Sequence, residues 1–79
     1  MPRVTTISGI SINVNPDDHN PPHVHATYQN SEALIEIASG MILKGTLPAK
    51  KAAAAKTWIY DNKHNLQILW KELNPDLRD

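Results

Sequence analysis

The first half of the chain alternates apolar and polar residues, which is the pattern of strands that bury one face. The alternation is strict in segments 10–14 and 32–37. A run rich in β-branched residues at 3–7 is followed by Ser8-Gly9, and this order predicts a hairpin with segment 10–14. Strands are expected at about 3–7, 10–14, 23–28, 32–37 and 41–44.

The second half changes to helical periodicity. Segment 49–61 contains four consecutive alanines and no helix breaker. Segment 63–73 carries an apolar stripe, and we expect Asp61 or Asn62 to cap its start. The stripe has the spacing i, i+3, i+4 and i+7 and consists of Leu66, Leu69, Trp70 and Leu73. Two helices are therefore predicted, at about 49–61 and 63–73.

These patterns predict an α+β fold, with a small antiparallel sheet of four to five strands within about 3–45 and two C-terminal helices packed on one face. The 79 residues make a single domain, 1–79, in the size range where one core is only just sufficient. The chain has no cysteine, so neither disulfides nor thiolate metal sites supplement that core. Such a small core favours a homodimer or a complex with another protein, because either would bury more apolar area.

Charge and hydropathy bear on nucleic-acid binding, membrane association and cellular location. The net charge is zero, which argues against non-specific nucleic-acid binding, although the two halves differ. Residues 1–40 carry one arginine against four carboxylates, whereas residues 41–79 carry six lysines and one arginine against four carboxylates. No apolar run approaches the length of a membrane span and no signal-peptide core is found, so we expect a cytoplasmic protein without membrane association.

The densest chemistry lies in segment 17–25, Asp-Asp-His-Asn-Pro-Pro-His-Val-His. Three of the four histidines, His19, His23 and His25, fall within it, and the consecutive prolines disfavour a helix there. From His23 onward the strand alternation predicts that an apolar set faces the core and that His23 and His25 lie side by side on the opposite, wetter face. His19 lies at the far end of a stiff loop that can fold back towards them.

Three interpretations of this cluster remain open. Imidazoles suit a divalent transition metal such as zinc, with His19, His23 and His25 as ligands. Histidine also serves acid–base work or phosphate recognition, with Asp17 or Asp18 orienting a ring. The third interpretation is a loop whose polar groups only hold its shape. In either of the first two, a glutamate of segment 32–37 can complete the site if the neighbouring strand pairs in register.

The motif Asp17–His25 resembles the signature of a family of short bacterial proteins, the domain of unknown function 4160. The likeness covers nearly the whole chain. Matching segments are Met1-Pro2, 9–12, 32–37, Gly40, 45–48, Trp58-Ile59 and 66–70. In that family the residue between the last two histidines is usually aromatic, whereas here it is Val24. This difference is expected to alter the packing beneath the strand and to leave the histidines in place.

The resemblance implies a protein partner and no established activity. Such proteins are often encoded beside a second small protein, in pairs that look like toxin–antitoxin modules. Two hypotheses follow. In the first, the chain is an interaction component of such a module and acts through His19, His23 and His25, with Asp18 beside them. In the second, it is a nuclease or phosphoesterase that uses histidine acid–base chemistry or a bound metal. His64, alone near a helix start, is given no role.

Overall fold

The computed structural model describes residues 3–15 and 21–74, which form a five-stranded antiparallel sheet followed by two helices. The elements are β1 (Arg3–Ile7), β2 (Ile10–Asn13), β3 (His23–Tyr28), β4 (Ser31–Glu36), β5 (Ile42–Gly45), α1 (Ala49–Asp61) and α2 (Lys63–Leu73). Each strand pairs with the next one along the chain, so the sheet is a meander with β1 and β5 at its edges. The predicted α+β fold is confirmed, and the strand and helix bounds lie within one residue of those expected.

The hairpin between β1 and β2 forms as predicted. Ile7 pairs with Ile10, and the two residues between them have positive φ, 48° at Ser8 and 79° at Gly9. Two consecutive left-handed residues give the turn a twist that matches the right-handed twist of paired strands. Glycine adopts this conformation without steric cost, which explains why Ser8-Gly9 closes the hairpin so tightly.

One face of the sheet, which we call the covered face, packs beneath the helices. Its register places Ile12 beside Ala26 and Val24 beside Ile35, so apolar residues of neighbouring strands meet on the same side. Each helix contributes two buried side chains, four residues apart, to this layer. The buried apolar cluster consists of Ile10, Ile12, Val14, Val24, Ala26, Ala33, Ile35, Ile37, Leu47, Ala55, Ile59, Leu66 and Trp70.

Polar contacts fix the helices on the sheet. The Lys51 ammonium donates to the Ser8 carbonyl at 2.8 Å and lies 4.8 Å from the centre of the Tyr28 ring, so it ties α1 to the first hairpin. Asn62 joins the two helices, but it does not cap α2 with its side chain as expected. Its Nδ2 instead donates to the Trp58 carbonyl at 2.9 Å, because the last turn of α1 presents carbonyl oxygens that need donors.

Gly45 brings the end of β5 against the start of β4. Its φ is +79°, and an added Cβ would overlap the carbonyl oxygen of Glu32. The next residue, Thr46, donates its backbone N–H to that same carbonyl at 3.1 Å. Only glycine allows this close backbone approach in a left-handed conformation.

The opposite face of the sheet, which we call the open face, is mainly polar. Alternation places His25 and Thr27 of β3 on it, together with Glu32 and Glu36 of β4. In the described segments, no helix is both long enough and apolar enough to cross a membrane.

Candidate functional site

Strand β3 brings two of the predicted histidines together. His25 pairs across the sheet with Asn13 on β2 and with Leu34 on β4, while His23 at the strand start pairs with Glu36. The two imidazole rings are tilted by 49° with their centres 5.2 Å apart. The predicted placement of both histidines on one side of the strand is therefore confirmed by their contact.

His23 is enclosed. It is 5% exposed, and its Nδ1 lies 2.8 Å from the Pro21 carbonyl oxygen. Because a carbonyl oxygen only accepts, the Nδ1 atom carries a proton, and in the neutral ring Nε2 carries the lone pair. The indole of Trp70 covers the ring with the two centres 5.1 Å apart. The expectation that His23 lies on a wetter face is wrong, because the large side chain from α2 reaches it.

His25 is more open, and side chains hold it from both sides. It is 18% exposed, its Nε2 lies 2.9 Å from Asn15 Nδ2, and its Nδ1 lies 3.5 Å from Glu32 Oε2. An amide nitrogen only donates, so Nε2 accepts and Nδ1–H faces the carboxylate. Glu32 therefore reaches the site as the in-register hypothesis predicted, along the diagonal between neighbouring strands.

Glu36 behaves differently although it is the cross-strand partner of His23. Its carboxylate accepts a hydrogen bond from the Ser39 hydroxyl, and Ser39 Oγ in turn accepts from the Met41 backbone N–H at 3.1 Å. Glu36 thus serves the turn between β4 and β5. Of the two glutamates considered from the sequence, Glu32 is the one whose carboxylate contacts a histidine.

The C-terminal end of α2 contacts the site through Asn74, which hydrogen-bonds to Asn15. Asn74 is 4% exposed, and its Nδ2 donates to the Asn15 carbonyl at 3.3 Å and to the Trp70 carbonyl at 3.1 Å. The sequence analysis did not predict Asn15 or Asn74 as site residues. The available signal is that each one precedes a proline, which favours extended backbone where an element ends.

Asn15 also has a buried oxygen. Its Oδ1 has no hydrogen-bond donor among the described residues, although its Nδ2 contacts His25. Buried amide oxygens ordinarily have a donor.

Comparison with known families places most of the chain in one family. The model of a domain of unknown function, DUF4160, matches residues 9–71 of the 79-residue chain. The chain belongs to the DUF4160 family. No curated protein and no solved structure gives a significant match. The DUF4160 match includes β2, β3 and β4, and so contains both histidines with Asn15 and Glu32.

The remaining predicted site residues, His19, Asp17 and Asp18, lie outside the described residues. Within residues 3–15 and 21–74, no group of three or more histidine or acidic side chains is arranged to hold a metal ion. The three-histidine metal site in this DUF4160 protein therefore stays a prediction, since it needs a ligand from segment 16–20.

The described atoms define an imidazole pair, which we take as His23 and His25. Each ring directs Nδ1 at a fixed acceptor, the Pro21 carbonyl for one and the Glu32 carboxylate for the other. That arrangement selects the tautomer with a basic Nε2 in both rings. Histidines that bind metals or accept protons through Nε2 commonly have this orientation, in which Nδ1–H donates to an outer carbonyl or carboxylate.

Proposed function

We propose that this protein is one member of a toxin–antitoxin-like pair of small bacterial proteins, and that the imidazole pair is its active or recognition site. The family resemblance supports the module. The observation that carries the site is the common Nδ1 orientation of His23 and His25, each facing an acceptor. Both rings then carry the lone pair on Nε2, and a proton or a metal at His25 would displace the Asn15 amide that contacts this atom at 2.9 Å.

The chemistry that best fits the pair is proton transfer on a phosphate ester. One ring accepts a proton from the attacking oxygen, and the other, once protonated, donates a proton to the leaving oxygen. Glu32 orients the His25 ring, because its carboxylate oxygen lies 3.5 Å from Nδ1. An RNA or another phosphodiester is the substrate class that follows from this arrangement.

The alternative chemistry is binding of a divalent transition metal such as zinc. The Nε2 atoms of His23 and His25 would be ligands, that of His25 in place of its contact with Asn15, and His19 would supply the third. The outer contacts made by Pro21 and Glu32 favour this alternative as well, since metal-binding histidines usually donate their other ring N–H to a carbonyl or a carboxylate.

A metal titration separates these chemistries, and Trp70 provides the signal. Its indole touches His23, so nickel bound there is expected to quench Trp70 fluorescence. The chain has two tryptophans, and Trp58→Phe leaves Trp70 as the sole emitter. If the pair binds metal, His25→Ala should weaken the apparent affinity by about tenfold or more. His64→Ala is the matched control, because it removes an exposed imidazole from α2.

If nickel and zinc leave the fluorescence and the imidazole NMR signals unchanged, the acid–base chemistry is tested by RNA and phosphodiester cleavage. Loss of cleavage in folded His25→Ala, with cleavage retained in His64→Ala, would support it. Absence of both metal binding and cleavage would leave the cluster as a structural loop and overturn the proposed chemistry.

The module itself is tested by co-expression with the product of the neighbouring gene. A stable complex is expected, and it should survive His25→Ala if the partner binds away from the imidazole pair. Failure of the two full-length proteins to associate would contradict the module without bearing on metal binding or cleavage.

A further inference from the structure

A concave site lies on the covered side, and neither histidine of the imidazole pair lines it. This cleft has a volume of about 500 Å³ and runs between the β4–β5 turn and the joint of α1 with α2. Its lining comprises Ile37, Ala38, Ser39, Gly40, Met41, Lys56, Thr57, Ile59, Tyr60 and Lys63. The volume is in the range, roughly 300–1,000 Å³, of pockets that hold a ligand or a few side chains.

The cleft combines a closed apolar floor with exposed apolar walls. Ile37 and Ile59 are each 1% exposed and belong to the core. Met41 and Tyr60, in contrast, are 62% and 76% exposed although both are large. Exposed apolar side chains that flank a concave apolar surface are typical of sites where another protein docks.

The charge of the cleft is one-sided. Lys56 and Lys63 line it, and none of the described residues that line it is acidic. Two carboxylates adjoin lining residues along the chain: Glu36 accepts a hydrogen bond from Ser39, and Asp61 lines a separate cleft with Ile7 and Ser8. Two ammonium groups beside an apolar floor complement a segment that carries carboxylates next to an apolar side chain.

We propose that this cleft binds an acidic segment of a partner protein, with an apolar side chain on the floor between Ile37 and Ile59 and carboxylates beside Lys56 and Lys63. The identity of the partner as the second protein of the module rests on the proposed function, whereas the chemistry of the segment rests on the cleft. The cleft lining includes neither histidine, so a partner seated there leaves the partly exposed His25 uncovered.

The direct test uses a short peptide with a central leucine flanked by aspartates. Its binding to the full chain is followed by amide NMR shifts. We expect shifts confined to the β4–β5 turn and to the α1–α2 joint. The combined change Lys56→Glu and Lys63→Glu should weaken binding by about tenfold, because two favourable charge pairs become repulsive. Tyr60→Ser should also weaken binding, since it removes an apolar wall without opening the core.

The control changes the same charge elsewhere. Lys50→Glu with Lys71→Glu alters two exposed lysines outside the cleft and should leave the affinity within about twofold. A second control replaces the peptide aspartates with asparagines and should bind much more weakly. Equal binding of both peptides, equal effects of the two double variants, or shifts centred on another surface would each overturn the proposal.

The same variants distinguish this inference from the module hypothesis. If the neighbouring gene product binds the chain and the Lys56→Glu, Lys63→Glu protein loses it, both hypotheses are supported. If that variant keeps the partner, the module stands and the cleft is not its docking site. If self-association of the chain is what the cleft variant abolishes, the occupant is a second copy and the proposed partner is wrong.

Discussion

The covered and open faces of one sheet are built from alternate residues of the same strands. We expect substitutions to destabilise the fold much more on the covered face than on the open face. On the covered face, Val24 and Ile35 are fully buried and their neighbours are apolar. On the open face, His25 is held by Asn15 and Glu32 at 2.9 and 3.5 Å. The covered face derives stability from excluded water, whereas the open face keeps polar atoms in defined directions at little cost, because solvent still reaches them.

His23 lies at the boundary between the two faces. Alternation assigns it to the side of His25, yet Trp70 from the helical layer buries it as deeply as a core residue. The strand start is thus the point where the helices reach the histidines. Whether the open face depends on the covered face for its shape can be tested one position at a time.

The largest expected effect comes from the covered face. Ile35→Ala removes a fully buried side chain at the centre of the sheet and should lower the free energy of unfolding by about 3 kcal/mol, from lost burial and a residual cavity. Urea unfolding of the full chain measures it. Its matched control is Leu34→Ala, one residue away on the open face, which should cost less than about 1 kcal/mol. Equal losses at the two positions would contradict the assignment of faces.

A smaller effect is expected where backbone packing on β5 supports the open face. Gly45→Ala and Gly40→Ala both place a side chain at positive φ, which costs about 1 kcal/mol. Only at Gly45 does the new Cβ overlap the Glu32 carbonyl, so this variant should lose about 2 kcal/mol more as β5 separates from β4.

Thermal unfolding gives that ranking, and the NMR signals of His25 give its local consequence. Displacement of Glu32 in Gly45→Ala should shift them, whereas Gly40→Ala should not, because nothing lies within 4 Å of the Cβ added at that glycine. Identical stabilities for the two alanine variants would show that the close approach of Gly45 to β4 is unimportant.

Most of the fold could be predicted because its signals are local. The alternation of 32–37 predicted which side of β4 is apolar, and the stripe at 66–73 predicted Leu66 and Trp70 as core residues. Turn residues such as Ser8-Gly9 separated the strands. Each inference needed only neighbours in the chain and a known period.

The site could be predicted only in part, because its contacts join distant segments. The spacing of His23 and His25 on a strand places them side by side, and this was expected. The contact of Asn74 with Asn15 spans 59 residues, and no periodicity indicates it. The burial of His23 likewise depends on the path of α2, which the sequence does not determine at the level of one side chain.

The smallest expected difference in stability is between alanine variants of the two histidines, one at the boundary between the faces and one on the open face. His23→Ala should cost about 2 kcal/mol, because it leaves Trp70 partly uncovered and the Pro21 carbonyl without its donor. His25→Ala should cost less than about 1 kcal/mol, since solvent can replace the lost contacts at a partly exposed ring. Urea unfolding compares the two, and Trp70 fluorescence in a Trp58→Phe background reports whether the indole has moved.

His23→Phe then separates packing from hydrogen bonding. It keeps an aromatic ring against Trp70 and removes both ring nitrogens, including the Nδ1 donor, so about half of the loss in His23→Ala should be recovered. Full recovery would mean that the Pro21 contact adds nothing to stability, and that the fixed tautomer is retained for the chemistry of the pair. No recovery would mean that the hydrogen bond holds the strand start, so that the orientation of His23 and the stability of the fold depend on the same contact.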